Sequence, residues 1–187
     1  HLNDAEKLSQ HVDTVATGYR IDKLYLDSFE QIQSPTGQRS PNASNALQRT
    51  IDEGALLINY TGHGNETTLM AEQIFTNSDL SNWKNIDRLP VFITATCEFG
   101  RHDSPFIRSG AEEMLLKPDG GAIAMLTTSR PVFSSTNFQL NEAFITQAFE
   151  ASSTQDQTLG EIFRVTKNES QNGVLNRNFI LLGDPAM

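Results

Sequence analysis

Apolar positions along this chain change period several times, and the changes mark out alternating helices and strands. Near the start, Leu8, Val12 and Val15 recur at helical spacing, which predicts an amphipathic helix over residues 4–17, ending near Gly18. Ile21-Asp-Lys-Leu-Tyr-Leu then alternates apolar and polar side chains, the pattern of a half-buried strand. Ser, Pro, Gly and Asn collect over residues 33–42 and predict an exposed loop. A second helix is expected from Pro41 to Glu53, with Ala46, Leu47 and Ile51 inward.

Four short apolar runs follow: Ala55–Tyr60, Pro90–Thr96, Gly121–Thr128 and Phe179–Leu182. Each is bounded by turn residues, and helical segments are expected near 104–117, 137–150 and 158–170. Runs of this kind fit buried parallel strands. The alternation of strand and helix predicts the α/β class: a three-layer α/β/α sandwich with a mostly parallel sheet. Phe99 and Phe106 are expected in its core. A length of 187 residues suits one domain with a real core and is short for two. Both ends read as cut ends, because the chain opens within a helix and stops just after Phe179-Ile-Leu-Leu-Gly-Asp-Pro. The expectation is a single domain or subdomain spanning 1–187, part of a longer protein.

Composition narrows the function. Lys and Arg total 14 against 23 Asp and Glu, a net charge of −9, so the chain repels phosphate backbones and no nucleic-acid partner is expected. No stretch reaches the roughly 18 apolar residues needed to span a bilayer. No basic-then-apolar leader opens the sequence, and one cysteine leaves no internal disulfide. No Gly-rich phosphate loop follows any expected strand, which argues against a nucleotide-binding domain. One Cys with scattered His residues lacks metal-ligand spacing, so neither a metal nor a cofactor is expected.

Two of the apolar runs end in reactive side chains. His63 follows the run that ends at Tyr60, and Cys97 follows the run that ends near Thr96. In open parallel sheets the functional crevice lies at the carboxyl ends of the strands. If the two strands are neighbours, His63 and Cys97 reach one edge despite being 34 positions apart in sequence (97 − 63). A thiolate is a good nucleophile, and a nearby imidazole both activates it and protonates the leaving amine. Gly62 and Gly64 let the backbone turn and let a substrate approach. The N–H groups of Gly64 and Cys97 are then candidate oxyanion donors. A solitary cysteine is ordinarily a small core residue, and a histidine between glycines is ordinarily a turn residue. Their joint placement at two strand ends favours chemistry. Glu66, Glu98, Arg101, His102, Asp103 and Arg130 fall around the same edge and either rim a substrate cleft or form exposed loops and ion pairs.

The segments Leu57-Ile-Asn-Tyr-Thr-Gly-His-Gly-Asn-Glu-Thr and Leu89-Pro-Val-Phe-Ile-Thr-Ala-Thr-Cys-Glu-Phe-Gly, with the closing Leu182-Gly-Asp-Pro-Ala-Met, resemble the gingipain-like cysteine peptidases of the caspase-type fold. Thr96-Cys-Glu-Phe-Gly-Arg-His-Asp and Gly120-Gly-Ala-Ile-Ala-Met-Leu-Thr-Thr-Ser-Arg are similar to the sortase-like, PorU-type branch of that family, which serves the type IX secretion system. The resemblance implies a catalytic domain with His63 and Cys97 as its working pair. It implies protein substrates, namely secreted cargo with carboxy-terminal sorting domains. It also implies other secretion components and lipopolysaccharide as partners, and a place at the bacterial cell surface or outer membrane, or secretion. The family's histidine-orienting acid and a specificity-pocket acid are expected ahead of His1, with Asp4 and Glu6 read as solvated helix residues. On that reading, residues 1–187 alone are expected to be weakly active or inactive.

Overall fold

The computed structural model describes residues 1–35, 37–150, 157–170 and 173–187. The chain opens with helix α1 (Leu2–Val15), whose Leu8 is buried. Residues 21–25 form no strand, and a single 3-10 turn follows at Leu26–Ser28. The alternating pattern there is real, but a strand needs a hydrogen-bonded partner, and no strand lies alongside it among the described residues. The expected loop over 33–42 is instead a small antiparallel hairpin, β1 (Ile32–Ser34) with β2 (Gly37–Arg39), leading straight into α2 (Pro41–Glu53). Pro41 sits in the first turn of α2, where its missing N–H costs nothing, and Ala43, Ala46, Leu47 and Ile51 are buried.

Strand β3 (Leu57–Thr61) is followed by a short hairpin, β4 (Thr68–Leu69) with β5 (Phe75–Thr76), and by a 3-10 turn over Asn77–Asn82. Then come β6 (Val91–Ala95), helix α3 (Gly110–Leu116), β7 (Ala124–Thr128), α4 (Ser134–Ile145), α5 (Leu159–Ser170) and β8 (Phe179–Leu182). A π-helical turn, Thr146–Glu150, continues α4, so the expected helix at 137–150 is two helical forms in succession. Helix α3 starts later than the pattern 104–117 predicts. Ser109 and Glu112 form a reciprocal capping box at its start, and Ser104 caps the loop amides of Phe106 and Ile107. Phe106 is consequently 92% exposed, not core, whereas Phe99 is fully buried as expected.

The central sheet has the order β3-β6-β7-β8. β3 and β6, and β6 and β7, pair in parallel; β8 runs antiparallel to β7, against the expectation for the fourth run. The reason is where the chain returns: the Ser129 N–H donates to Asn178 O at 2.8 Å, so β8 begins where β7 ends. The sheet is still mostly parallel, and helices flank both faces. Phe92, Met125 and Ile58 face α2, α3, Phe75 and Trp83, while Ile93, Leu126 and Leu57 face α1, α4 and α5. Alternate residues of each strand thus fill two separate cores, the signature of a layered α/β sandwich. Among the described residues, no helix is long and apolar enough to cross a membrane.

Candidate active site

The register of the sheet places the two reactive residues. β3 and β6 pair in step, ending with Thr61 beside Ala95. The chain runs two residues further in each case, to His63 and to Cys97. The Gly62 N–H donates to Ala95 O at 3.3 Å, so backbone pairing persists just beyond the strand ends. His63 and Cys97 therefore occupy equivalent positions at the carboxyl edge of adjacent parallel strands. Both also lie toward the same layer. The His63 ring meets that of His1, at the start of α1, edge to face with centroids 4.7 Å apart. The half-buried Cys97 Sγ–H donates to the carbonyl of Val132, just ahead of α4, at 3.6 Å.

The glycines beside His63 are explained by contact more than by turning. A Cβ on Gly64 would lie 2.6 Å from Thr96 Oγ1 and 3.0 Å from the Thr68 carbonyl. A Cβ on Gly62 would meet the Tyr60 hydroxyl at 2.4 Å. The Tyr60 hydroxyl donates to the carbonyl of His63 at 2.5 Å, and burial pushes its pKa up, so it remains a donor. The His63 carbonyl also accepts from the Met70 N–H at 2.8 Å. Two residues of the site are left-handed: Met70, with φ +65, and Glu98, with φ +56, directly after Cys97. Among the described residues, neither the Gly64 N–H nor the Cys97 N–H has a partner in the surrounding turns and loops.

The charged residues expected around this edge bind one another. Arg101 reaches Glu66 Oε1 at 3.1 Å and Glu98 Oε1 at 3.5 Å, with Asp103 at 4.0 Å. Arg130 pairs with Asp103 through both guanidinium nitrogens and donates to its neighbour's carbonyl, Ser129 O, at 2.7 Å. The hydrogen bond from Arg130 holds the Asp103 carboxyl below the usual carboxylate range, and the same contact raises Arg130. His102 is turned to the carbonyl of Gly100 at 3.3 Å. Ion pairs thus join Glu66, Glu98, Arg101, Asp103 and Arg130.

Asp4 and Glu6 separate. Asp4 accepts from Ser134 Oγ at 3.3 Å, which holds a carboxylate at the His1 end of α1. Glu6 faces away, bound by Tyr25, Lys23 and Gln10. His1, Ser134 and the Val132 carbonyl had no signal in sequence, since they reach the edge only through the docking of α1 and α4. Asn59 had one: it is a polar residue inside an apolar run, and it exchanges side-chain hydrogen bonds with Asn141 of α4 at 2.7 and 2.8 Å. That exchange pins α4 over β3. A cleft of about 920 Å³ begins at His63 and follows the outer edge of β3 to Gly54, with Leu8 and Val12 on one wall and Ile21 on another. Cys97 lies outside it. Among the described residues, no three His, Cys, Asp or Glu side chains gather as a metal site.

Comparison with known proteins gives two positive findings. The sequence profile of peptidase family C25 matches residues 1–187. Among solved structures, the chain resembles the Arg-specific cysteine proteinase gingipain R (RgpB), with a TM-score of 0.68 at 18% identity over 76% of this chain and 35% of that one. It also resembles the complex of Porphyromonas gingivalis RgpB pro- and mature domains, with a TM-score of 0.65 at 17% identity over 76% and 36%. A further structure, described only as a protease, matches with a TM-score of 0.64 at 17% identity over 74% and 36%. The chain thus spans about a third of the length of these proteins, and identities this low show a shared fold. No curated protein matches the sequence.

Proposed function

The chain belongs to peptidase family C25, the gingipain family of cysteine-type peptidases, and we propose that its chemistry is carried by Cys97 and His63. The observation that supports this most is their equivalent placement beyond the paired ends of β3 and β6. In the proposed reaction the Cys97 thiolate adds to a peptide carbonyl. The oxyanion that forms is met by the N–H groups of Gly64 and Cys97. His63 takes the thiol proton and passes it to the leaving amine, and a thioester on Cys97 remains. Water then releases a free carboxylate, or a second amine takes the acyl group. The substrates are proteins.

The sortase reading is the finer proposal. It rests on the segments Thr96-Cys-Glu-Phe-Gly-Arg-His-Asp and Gly120–Arg130, and it assigns the protein to removing carboxy-terminal sorting domains from secreted cargo at the cell surface or outer membrane. Residues 1–187 would be one catalytic domain of the enzyme that does this, working with other type IX secretion components and lipopolysaccharide. Plain hydrolysis by the same pair is the alternative within the same class. A non-catalytic module of the same fold is the alternative from a different class, and labelling by a thiol-directed active-site probe discriminates it.

The test is substitution in the whole protein. Cys97→Ala is expected to abolish cleavage with the fold intact, because the nucleophile goes while little volume changes. Normal cargo termini from that variant, read by mass spectrometry, would sink the assignment. Cargo joined to an amine supports the sortase, whereas cargo ending only in a free carboxylate supports the hydrolase.

A further inference from the structure

We infer that Arg101 is a positioning residue that clasps the His63 loop to the Cys97 turn and so sets how the two side chains face each other. The inference rests on the catalytic reading above. Strand pairing brings the two residues to one edge but leaves their orientation to loops, because the ladder stops at Thr61 and Ala95 with only the Gly62 N–H reaching beyond. The turn after Cys97 also carries a backbone cost, since Glu98 lies in the left-handed region, which a side-chain-bearing residue rarely adopts. Something must hold that turn closed.

Two kinds of contact hold it. The Arg101 N–H closes the turn onto Glu98 O at 3.0 Å, and the Gly100 N–H anchors it to Thr128 O of β7 at 2.9 Å. Neither reaches the His63 loop. The Arg101 side chain does: Glu66, three residues beyond His63, and Glu98, one residue beyond Cys97, both present a carboxylate to the same guanidinium. Glu66 is itself fixed from behind, since its carbonyl accepts the Gly110 N–H at 2.7 Å at the start of α3. Both carboxylates meet the same nitrogen, Nη1, so one permanently charged group draws the two loops together.

Charge sharpens the argument. Without Arg101, Glu66 and Glu98 lose the cation they share, and Arg130, which also feels the Glu98 charge, is held by Asp103. Loss of the guanidinium therefore converts attraction between the two loops into repulsion. Arg101 is 39% exposed, so these pairs add little to global stability. Alignment is another matter, because a misplacement of about 1 Å between reacting groups can cost about 100-fold in rate.

The experiment follows turnover of p-nitrophenyl acetate, a small activated ester that needs no specificity pocket, by the whole protein. Arg101→Ala is expected to lower kcat by about 10- to 100-fold while KM stays within about twofold. The thermal midpoint is expected to move by no more than about 2 °C. Arg101→Lys should recover part of the rate by restoring the charge on a shorter side chain. Arg101→Ala combined with Glu66→Gln should be no slower than Arg101→Ala alone, because the second change removes the repulsion. Wild-type kcat in Arg101→Ala, or losses that simply multiply in the double variant, would overturn the clasp. If Arg101→Ala does not fold, Glu66→Gln alone carries the test: a lowered kcat at unchanged KM supports the clasp, and wild-type kcat overturns it. Turnover by the wild type that survives Cys97→Ala is a different failure, since it removes the catalytic reading itself.

Discussion

At the scale of single residues, the site is built by close approach. Gly64 packs under Thr96 and against the Thr68 carbonyl with no room for a methyl group. The sequence analysis valued the two glycines for their freedom to turn, yet the left-handed backbone of the site belongs to Met70 and Glu98. Gly64→Ala is therefore expected to push the His63 loop away from the Cys97 strand and to lower turnover by about 100-fold. A matched thermal melt would separate this from unfolding, and unchanged turnover would show that the loop shifts freely. Gly121 is the contrasting case, far from the chemistry. It has φ +99, and a Cβ there would lie 1.9 Å from Met114 O, so Gly121→Ala is expected to lose stability.

At the scale of elements, α1 is tied to the segment that follows it through one carboxylate. Tyr25 donates to Glu6 at 2.5 Å and Lys23 at 2.9 Å, and these bonds hold the Glu6 pKa at about 2 against an ordinary 4.5. A depressed carboxylate stabilises the fold above its ordinary pKa and ceases to as pH falls through the lowered one. The tie is thus complete above pH 4.5 and lost toward about pH 2. Glu6→Gln is expected to raise amide exchange over residues 19–28 at neutral pH while β6 and β7 stay protected, and equal exchange would show that the tie is idle. This segment also marks where sequence reading stops. α2 was legible because its burial pattern is long and one-sided, and the four central strands because each is a short apolar run between two cores. The alternation at 21–26 was equally clear, but strand formation also depends on a neighbour that no local pattern encodes. The two-residue strands β4 and β5 were too short to show a period. The charge-rich stretch after Cys97 was visible, but Arg101's partner Glu66 lies 35 positions away and only the register of β3 with β6 brings it near.

At the scale of the whole molecule, one sheet divides two cores, and neighbouring residues of β6 report on different ones. Phe92 stacks on Trp83, the one tryptophan of the chain, with centroids 6.3 Å apart, while Ile93 points into the other core. Phe92→Ala and Ile93→Ala are each expected to cost about 2–5 kcal/mol. Only the first should shift the emission of the native protein. A shift from both would mean that the two layers are not separately packed. The same sheet also governs when the proposed chemistry could exist. His63 and Cys97 are 34 positions apart in sequence and reach one sheet edge only through long-range parallel pairing, which is slow to form compared with a hairpin or a helix. A chain still emerging from the ribosome would carry the proposed nucleophile and base with nothing to bring them together. On the proposed reading, proteolytic competence arrives late, with the finished sheet, and the unfinished chain is spared an active thiol in its own midst.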